Sequence, residues 1–200
     1  MPAPTASRPA PESIALIEVA SIAVGYAVAD ALVKAAAVRL LEIAPVSPGK
    51  LFILFAGDVA SLEIAHAAGL AAAGEDLLGA LLLPRADAQV FRALTEPGDA
   101  VGEALGILEC STVASGWLAA DAAAKMAEVR LLEFRRAAGI GGKATLLLTG
   151  TTADVATALA AGQAAGEAAG GIVRTVHIPG AHADLKSALA RRWSGTPEGA

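Results

Sequence analysis

Two stretches of this 200-residue chain carry closely related sequences at a constant offset of 91 residues. Of the 30 positions that align between 13–42 and 104–133, 13 are identical. Asp30 and Lys34 in the first stretch recur as Asp121 and Lys125 in the second. A repeat of this length predicts a tandem duplication, so the chain must fold as two copies of one small domain.

The duplication predicts two domains of about 90 residues, a size that supports only a modest core. We expect the two domains to bury a shared face. The net charge of −5 comes from 15 basic and 20 acidic residues, without a basic cluster. A nucleic-acid-binding protein usually carries a clustered Lys/Arg footprint, so the charge pattern argues against that class.

Alanine accounts for much of the high mean hydropathy of +0.58. The longest stretch without Asp, Glu, Lys or Arg runs over 155–166, only 12 residues. A membrane-spanning helix needs about 20 apolar residues, so we expect no membrane partner. The excess apolar surface favours burial against other subunits. Cys110 is the only cysteine, which excludes an internal disulfide and indicates a cytoplasmic protein.

Each repeat predicts the order β-α-β-β-α-β followed by a terminal helix, which is an α+β, ferredoxin-like split arrangement. In the first repeat the expected strands are 14–19, 38–44, 50–55 and 77–83, and the expected helices are 22–36, 59–73 and 87–94. In the second repeat the strands are 105–110, 129–136, 144–149 and 172–178, and the helices are 113–127, 153–169 and 184–192. Ser21 and Asp58 are expected helix caps, and the two prolines and glycine of 45–49 predict a turn.

The composition also predicts the domain boundaries. We expect a disordered leader at 1–12, a first domain at 13–95, a linker at 96–103, a second domain at 104–193 and a disordered tail at 194–200.

The glycine-rich loop 139–143 does not fit a nucleotide-binding motif. A P-loop requires glycine where the chain has Ala137 and Ser or Thr where it has Ala144. The loop also joins two strands, whereas nucleotide motifs lead into a helix that holds the phosphate. A hairpin turn, or a loop packed against its symmetry copies, is the better interpretation.

The residues that could support catalysis or metal binding lack the necessary spacing. His66, His177 and His182 are the only histidines, and no set of cysteines completes a zinc site around them. There is no G-x-S-x-G nucleophile motif, and the acidic pair Glu75 and Asp76 favours a solvated turn. The sequence therefore predicts neither an enzyme nor a metal site.

The recurring Asp–Lys pairs have two interpretations. Asp30–Lys34 and Asp121–Lys125 have the i,i+4 spacing of ordinary solvated helix pairs, which contribute only tenths of a kcal/mol. Their recurrence on helices that are otherwise poor in charge also fits a contact that both domains make.

Several motifs together resemble bacterial microcompartment shell domains. They are the helix Asp-x-x-x-Lys-Ala followed by Val-x-Leu-Leu, the Gly-Ile-Gly-Gly-Lys loop, and the ending Ile-Pro-x-x-His. Two such domains in one unpermuted chain resemble the tandem, trimer-forming (T-type) shell proteins, particularly those of propanediol-utilisation compartments. The resemblance covers 13–193. It implies homotrimers that form pseudohexameric tiles with a central pore, located in the shell of a cytoplasmic microcompartment.

The resemblance also assigns tile-edge contacts. Lys34 and Lys125 match the family's edge lysine, and Arg85 matches the arginine that pairs with it between tiles. His182 matches the family's edge histidine. Gly180 stands where the second copy would carry the edge arginine, so we expect only half of the edges to have the usual arginine contact.

By the same resemblance, the pore is lined by one loop from each domain. The expected pore-lining residues are Val46, Ser47, Pro48, Gly49, Gly139, Ile140, Gly141 and Gly142. The propanediol relatives carry a cysteine at the position of Ser47, and that cysteine ligates an iron–sulfur cluster. A serine hydroxyl is a poor iron ligand, so we predict no cofactor. Three Ser47 hydroxyls would instead suit uncharged or anionic metabolites.

The predicted function is therefore a non-enzymatic shell protein that tiles facets and carries a metabolite pore. Its expected partners are further copies of itself, other hexameric, trimeric and pentameric shell proteins, encapsulated enzymes and small metabolites. Two alternatives remain open at this stage. One is a pore-bound metal or iron–sulfur redox conduit, and the other is a ferredoxin-like small-molecule-binding or enzyme domain, for which no polar pocket is evident.

Overall fold

A computed structural model of the protein describes residues 13–96, 98, 100–136 and 140–194. The first domain contains four strands and three helices. In chain order they are β1 (Ser13–Val19), α1 (Ile22–Ala35), β2 (Arg39–Val46), β3 (Lys50–Ala56), α2 (Val59–Ala73), β4 (Leu77–Pro84) and α3 (Ala88–Thr95), with a 3₁₀ turn at Gly74–Asp76 before β4.

The second domain repeats this order. Its elements are β5 (Ala104–Cys110), α4 (Val113–Met126), β6 (Arg130–Arg136), β7 (Ala144–Gly150), α5 (Thr152–Ala168), β8 (Ile172–Ile178) and α6 (Ala183–Ser194). The two antiparallel sheets have the strand orders β2-β3-β1-β4 and β6-β7-β5-β8. The predicted α+β fold of two tandem ferredoxin-like domains is confirmed, and the predicted elements agree within one or two residues.

The predicted helix caps are also confirmed. Ser21 Oγ accepts a hydrogen bond from the N–H of Val24 at 3.4 Å, and Asp58 Oδ1 accepts one from Ser61 at 3.0 Å. Thr112 begins α4 through a capping box with Ser115. Each cap satisfies an N–H group that has no acceptor within its helix, which is why the helices begin at these residues.

The turn predicted at 45–49 is wrong at its first two residues. Pro45 and Val46 continue β2 and pair with Leu51 and Lys50 of β3. Proline lacks an N–H and is excluded from central strands, but β2 lies at the edge of its sheet. An edge strand tolerates proline because the missing donor faces away from the sheet.

The two faces of the first sheet belong to different cores. Ala15 and Ile17 pack with the domain's own helices, whereas Ile14 and Leu16 join a core that extends to Trp117 of the second domain. The expected shared face is therefore present. It also explains why β1 and β3 are almost continuously apolar, since a strand covered on both faces has no polar side.

Some sequence predictions fall outside the described residues. These are the leader at 1–12, most of the tail at 195–200, linker residues Pro97 and Asp99, and Gly139 of the pore loop. Ser194, the predicted start of the tail, is the last residue of α6. None of the helices in the described ranges has the length and apolar character required to span a bilayer.

Candidate functional site

Helix α4 packs against the first domain and forms part of the contact between the two domains. The indole of Trp117 is completely buried. It makes edge-to-face contacts with Phe91 of α3 at 5.1 Å and with Phe134 of β6 at 5.5 Å between ring centroids. Phe91 belongs to the first domain and Phe134 to the second, so one tryptophan anchors the interface from both sides. Buried aromatic pairs of this geometry contribute beyond their apolar area.

A buried carboxylate lies at the N-terminus of α4. Glu18 Oε2, from β1 of the first domain, accepts a hydrogen bond from the N–H of Val113 at 2.8 Å. Lys50 Nζ lies 3.6 Å from the other carboxylate oxygen. The N-terminus of a helix carries partial positive charge and unpaired N–H groups, so it stabilises an anion there.

Two opposing effects act on the proton affinity of Glu18. Burial raises the pKa of the carboxyl above its ordinary value, whereas the hydrogen bonds from Val113 and Ala114 and the charge of Lys50 act in the opposite direction. Burial is the largest effect because the side chain has no exposed surface. Glu18 therefore links the domains at the cost of a partly desolvated charge.

Asp121 makes a second polar link across the domain interface. Its Oδ1 accepts a hydrogen bond from the N–H of Asp87 at 2.7 Å, and its Oδ2 binds Lys125 Nζ at 2.6 Å. The Asp121 side chain is only 8% exposed. The interpretation of Asp121–Lys125 as an ordinary solvated pair is therefore wrong, because the backbone of the first domain replaces water at the aspartate.

The two predicted pore loops lie next to each other within one chain. A Cβ atom on Gly142 would lie 2.3 Å from the carbonyl oxygen of Ser47, so only glycine allows this approach. Gly142 also has a positive φ of 78°, which glycine adopts without strain. Nearby, Arg136 of β6 pairs with Glu42 of β2 and lies over the Phe52 ring at 5.7 Å. These contacts fix one loop against the other.

Helix α1 has a face that corresponds to the buried face of α4, but in the single chain this face of α1 is uncovered. The residues at the α4 contact are Val113, Trp117, Asp121 and Ala124, and their counterparts on α1 are Ile22, Tyr26, Asp30 and Val33. We call this second set the α1 face. Tyr26 is 58% exposed although its counterpart Trp117 is completely buried. Asp30 pairs with Lys34 at 2.5 Å and its side chain is 60% exposed.

The surface that covers α4 also has an uncovered counterpart. Leu81 of β4 and Val90 of α3 are buried against the second domain, whereas the corresponding Val176 of β8 and Leu185 of α6 are 39% and 38% exposed. We call the surface formed by Glu109, Arg174, Val176 and Leu185 the open face of domain 2. One chain therefore contains one complete interface and both uncovered halves of a second.

The predicted edge residues occupy exposed positions. Arg85 lies two residues before Asp87, which contacts α4 through Asp121, so the Arg85 loop lies on the helix that carries Lys125. Arg85 adopts a positive φ of 56°, as does its counterpart Gly180 at 63°. The Nδ1 atom of exposed His182 lies 3.5 Å from Asp184 Oδ2. Lys34 pairs with Asp30 on its own helix.

Sequence reasoning missed two interface residues, Glu18 and Trp117, and it left the role of Asp121 open. Glu18 and Glu109 are each the only charged residue in an otherwise apolar strand, and they recur at the constant offset. A buried charge without a partner is unfavourable. An acid that recurs in such a strand is therefore a signal for a partner that compensates its charge.

Within one chain, the described residues provide no set of metal ligands. Among them, no group of three or more His, Cys, Asp or Glu side chains could hold an ion. Cys110 is buried in β5, where burial raises the pKa of its thiol to about 12. A thiol in that state is not a thiolate ligand. Burial also lowers the pKa of His66 below its ordinary value.

Comparisons with known proteins agree with the duplicated fold. The family model described as the BMC domain matches residues 13–86 and again residues 104–181. The chain is 36% identical over 176 residues to the bacterial microcompartment shell protein PduT of Citrobacter freundii, an alignment that covers 87% of this chain and 95% of the relative.

Two solved structures are similar to it. A microcompartment protein from Desulfitobacterium hafniense has a TM-score of 0.71 and 43% identity, covering 89% of this chain and 99% of its own. A fused permuted hexameric shell protein from the RMM microcompartment has a TM-score of 0.59 and 25% identity, covering 78% and 84%.

Proposed function

This chain belongs to the BMC-domain family of bacterial microcompartment shell proteins, and on that premise we propose that three copies close into a pseudohexameric tile of the shell facet. The observation that carries the proposal is the complete interface at α4 beside the uncovered α1 face and open face of domain 2. Because the two halves differ, the contact is head-to-tail, and repeating it forms either a ring or an open filament. The family resemblance favours closure at three chains, with six domains alternating around the axis.

The apolar side chains on both uncovered surfaces support this assembly. Tyr26 and Val33 on the α1 face, and Val176 and Leu185 on the open face, are all more than one third exposed. Contiguous apolar surface of this kind marks an interaction site in a soluble protein. A second chain provides the matching surface for each, because the two domains of one chain already pack together through the equivalent surfaces.

Tile edges are the second part of the proposal. Lys34, Lys125, Arg85 and His182 would form contacts between adjacent tiles and with other shell proteins. Arg85 provides the structural support: it holds a left-handed backbone conformation that disfavours a side chain by about 1–2 kcal/mol. Strain of this kind at an exposed residue favours a functional role for its side chain.

The pore is the third part. The loops that carry Val46, Ser47, Pro48 and Gly49, and Ile140, Gly141 and Gly142, would surround the threefold axis together with Gly139. Three Ser47 hydroxyls would present hydrogen-bond donors and acceptors to uncharged or anionic metabolites. A Ser47→Leu substitution is expected to slow metabolite passage through assembled shells. An unchanged flux would contradict the assignment of Ser47 to the pore.

The proposed role is structural rather than enzymatic. The redox alternative is not proposed, because Ser47 replaces the thiolate of the propanediol relatives and a serine hydroxyl is a poor ligand for iron.

The decisive experiment measures the mass of the purified chain in solution. Sedimentation velocity is expected to give three chains, and electron microscopy is expected to show sheets or closed shells. Tyr26→Asp, on the α1 face, should abolish the trimer. Ile64→Asp is the matched control, since Ile64 on α2 is 55% exposed, almost the same as Tyr26. A wild-type chain that remains monomeric at every concentration would refute the proposal, as would equal effects of the two substitutions.

A further inference from the structure

The open face of domain 2 carries a carboxylate at the position of Glu18 in domain 1. Glu18 lies opposite Phe52 and Gly79 in its sheet, and Glu109 lies opposite Thr145 and Arg174 at the equivalent register. Each acid also pairs with a lysine at the beginning of the adjacent strand: Lys50, the first residue of β3, lies 3.6 Å from Glu18, and Lys143, directly before β7, lies 2.7 Å from Glu109. The two sites are therefore copies of one arrangement.

The two copies differ in what their carboxylates contact. In domain 1, one Glu18 oxygen faces Lys50 and the other accepts the N–H of Val113 at the first residue of α4. In domain 2, the Glu109 side chain is 33% exposed and pairs with Lys143. Within the described part of the chain, no helix N-terminus donates to the Glu109 oxygen that corresponds to Oε2 of Glu18.

The helix terminus that would complete this site is also present in the molecule. The counterpart of Val113 is Ile22, the first residue of α1, which is 38% exposed. No acidic residue lies in the first turn of α1. The N–H of Ile22 has no acceptor within its own helix, as is true of the first N–H groups of every α-helix.

We propose that Glu109 of one chain accepts a hydrogen bond from the N–H of Ile22 in a second copy of the chain, joining neighbours in the ring. The contact rests on the proposed trimer, and it reproduces between chains the Glu18–Val113 contact within the chain. Both partners are complementary, since the N-terminus of α1 attracts an anion and Glu109 supplies one. The occupant of the open face is therefore α1 of another copy.

One difference between the two interfaces bears on the geometry. A Cβ atom on Gly79 would lie 3.2 Å from the Cβ of Ala114, whereas the counterpart of Gly79 is Arg174. Arg174 would face Ala23, the counterpart of Ala114, so the neighbouring helix must sit a few tenths of an ångström further away. The flexible side chain of Glu109 spans that difference. Arg174 and Glu109 are register partners on the adjacent strands β8 and β5.

Substitution of Glu109 measures the contribution of this contact independently of the rest of the interface. Glu109→Ala removes the acceptor and is expected to raise the dissociation constant between chains by about tenfold to hundredfold. Glu109→Gln keeps an oxygen that can accept the Ile22 N–H and is expected to remain within about threefold of the wild type. Mass photometry over a dilution series measures both constants, and circular dichroism of the diluted chains verifies that each variant is folded.

A cysteine pair tests the geometry while it leaves Glu109 and Lys143 in place. Ala23→Cys combined with Arg174→Cys places two thiols at the counterparts of Ala114 and Gly79, close to the Cβ separation that a disulfide requires. Oxidation is expected to link three chains covalently, and reduction is expected to release them. Cys110 does not compete, because it is buried with a thiol pKa of about 12.

The outcomes distinguish this contact from the ring on which it rests. The contact would be refuted if the Glu109→Ala trimer had the same dissociation constant as the wild type. It would also be refuted if Glu109→Gln weakened the trimer as much as Glu109→Ala does. Neither result would contradict the trimer itself. A trimer of the double variant Ala23→Cys, Arg174→Cys that never cross-links on oxidation would also overturn the contact. A wild-type chain that never associates would overturn the ring and the contact together.

Discussion

Truncation of Trp117 tests whether the two domains depend on one shared core. The indole is completely buried between Phe91 and Phe134, so Trp117→Ala leaves a large cavity at the domain interface. Such substitutions lower the free energy of unfolding by about 3–5 kcal/mol. For a chain of this length, that loss corresponds to a fall in Tm of about 6–20 °C.

The matched control is Tyr26→Ala, at the counterpart position on α1. Tyr26 is 58% exposed in the single chain, so its truncation should change the free energy of unfolding by no more than about 0.5 kcal/mol. Both variants are unfolded in urea at a concentration at which sedimentation shows single chains. This condition removes the contribution of assembly, which Tyr26→Ala should weaken.

A double-mutant cycle isolates the contact that crosses between the domains. Trp117→Ala and Phe91→Ala, singly and together, are expected to show a coupling energy of about 0.5–1.5 kcal/mol. A loss below about 1 kcal/mol for Trp117→Ala, or an equal loss for Tyr26→Ala in the single chain, would refute a shared core centred on this residue.

Three further predictions concern single residues. Because its pKa is raised, the carboxyl of Glu18 stabilises the fold most fully below pH 4.5 and loses that contribution as pH rises through the folded-state pKa. The stability of the wild type relative to Glu18→Gln should therefore fall between acidic and neutral pH in urea titrations, and a rise would contradict the sign. Cys110 should resist iodoacetamide at pH 8 until the chain is unfolded, as mass spectrometry can measure; rapid labelling of native protein would contradict its burial. Arg85→Gly should leave the free energy of unfolding within about 1 kcal/mol of the wild type while it weakens sheet formation in electron micrographs, because glycine relieves the left-handed backbone strain but removes the edge side chain. Retained sheets would exclude Arg85 from the tile edge.

The sequence predicted the elements well because local signals coincide in this chain. Ser21 and Asp58 begin their helices as capping rules require, and the apolar runs of β1 and β3 end at turn residues. Pro45 was wrongly assigned to a turn, because a strand accepts proline only where, as in β2, it lies at the edge of the sheet. Edge and centre are properties of strand order, and strand order is set by contacts distant in sequence.

The candidate site was predictable to a smaller extent. The sequence and its family resemblance singled out Ser47 and Gly142 separately, and the structure placed them in contact. Nothing local distinguished Asp121 from Asp30, since each precedes a lysine by four residues on a helix. Only the tertiary structure shows that Asp87 donates to Asp121, whereas Asp30 remains exposed.

The duplication itself was determined by sequence alone, because identical residues at a constant offset specify the same fold twice. What the sequence could not decide is which copy of each surface is covered. Trp117 and Tyr26 occupy equivalent positions with similar chemistry, yet one is buried and the other exposed. The reason is connectivity: the linker joins the end of domain 1 to the start of domain 2, so one head-to-tail contact closes within the chain. The second contact is left for another chain.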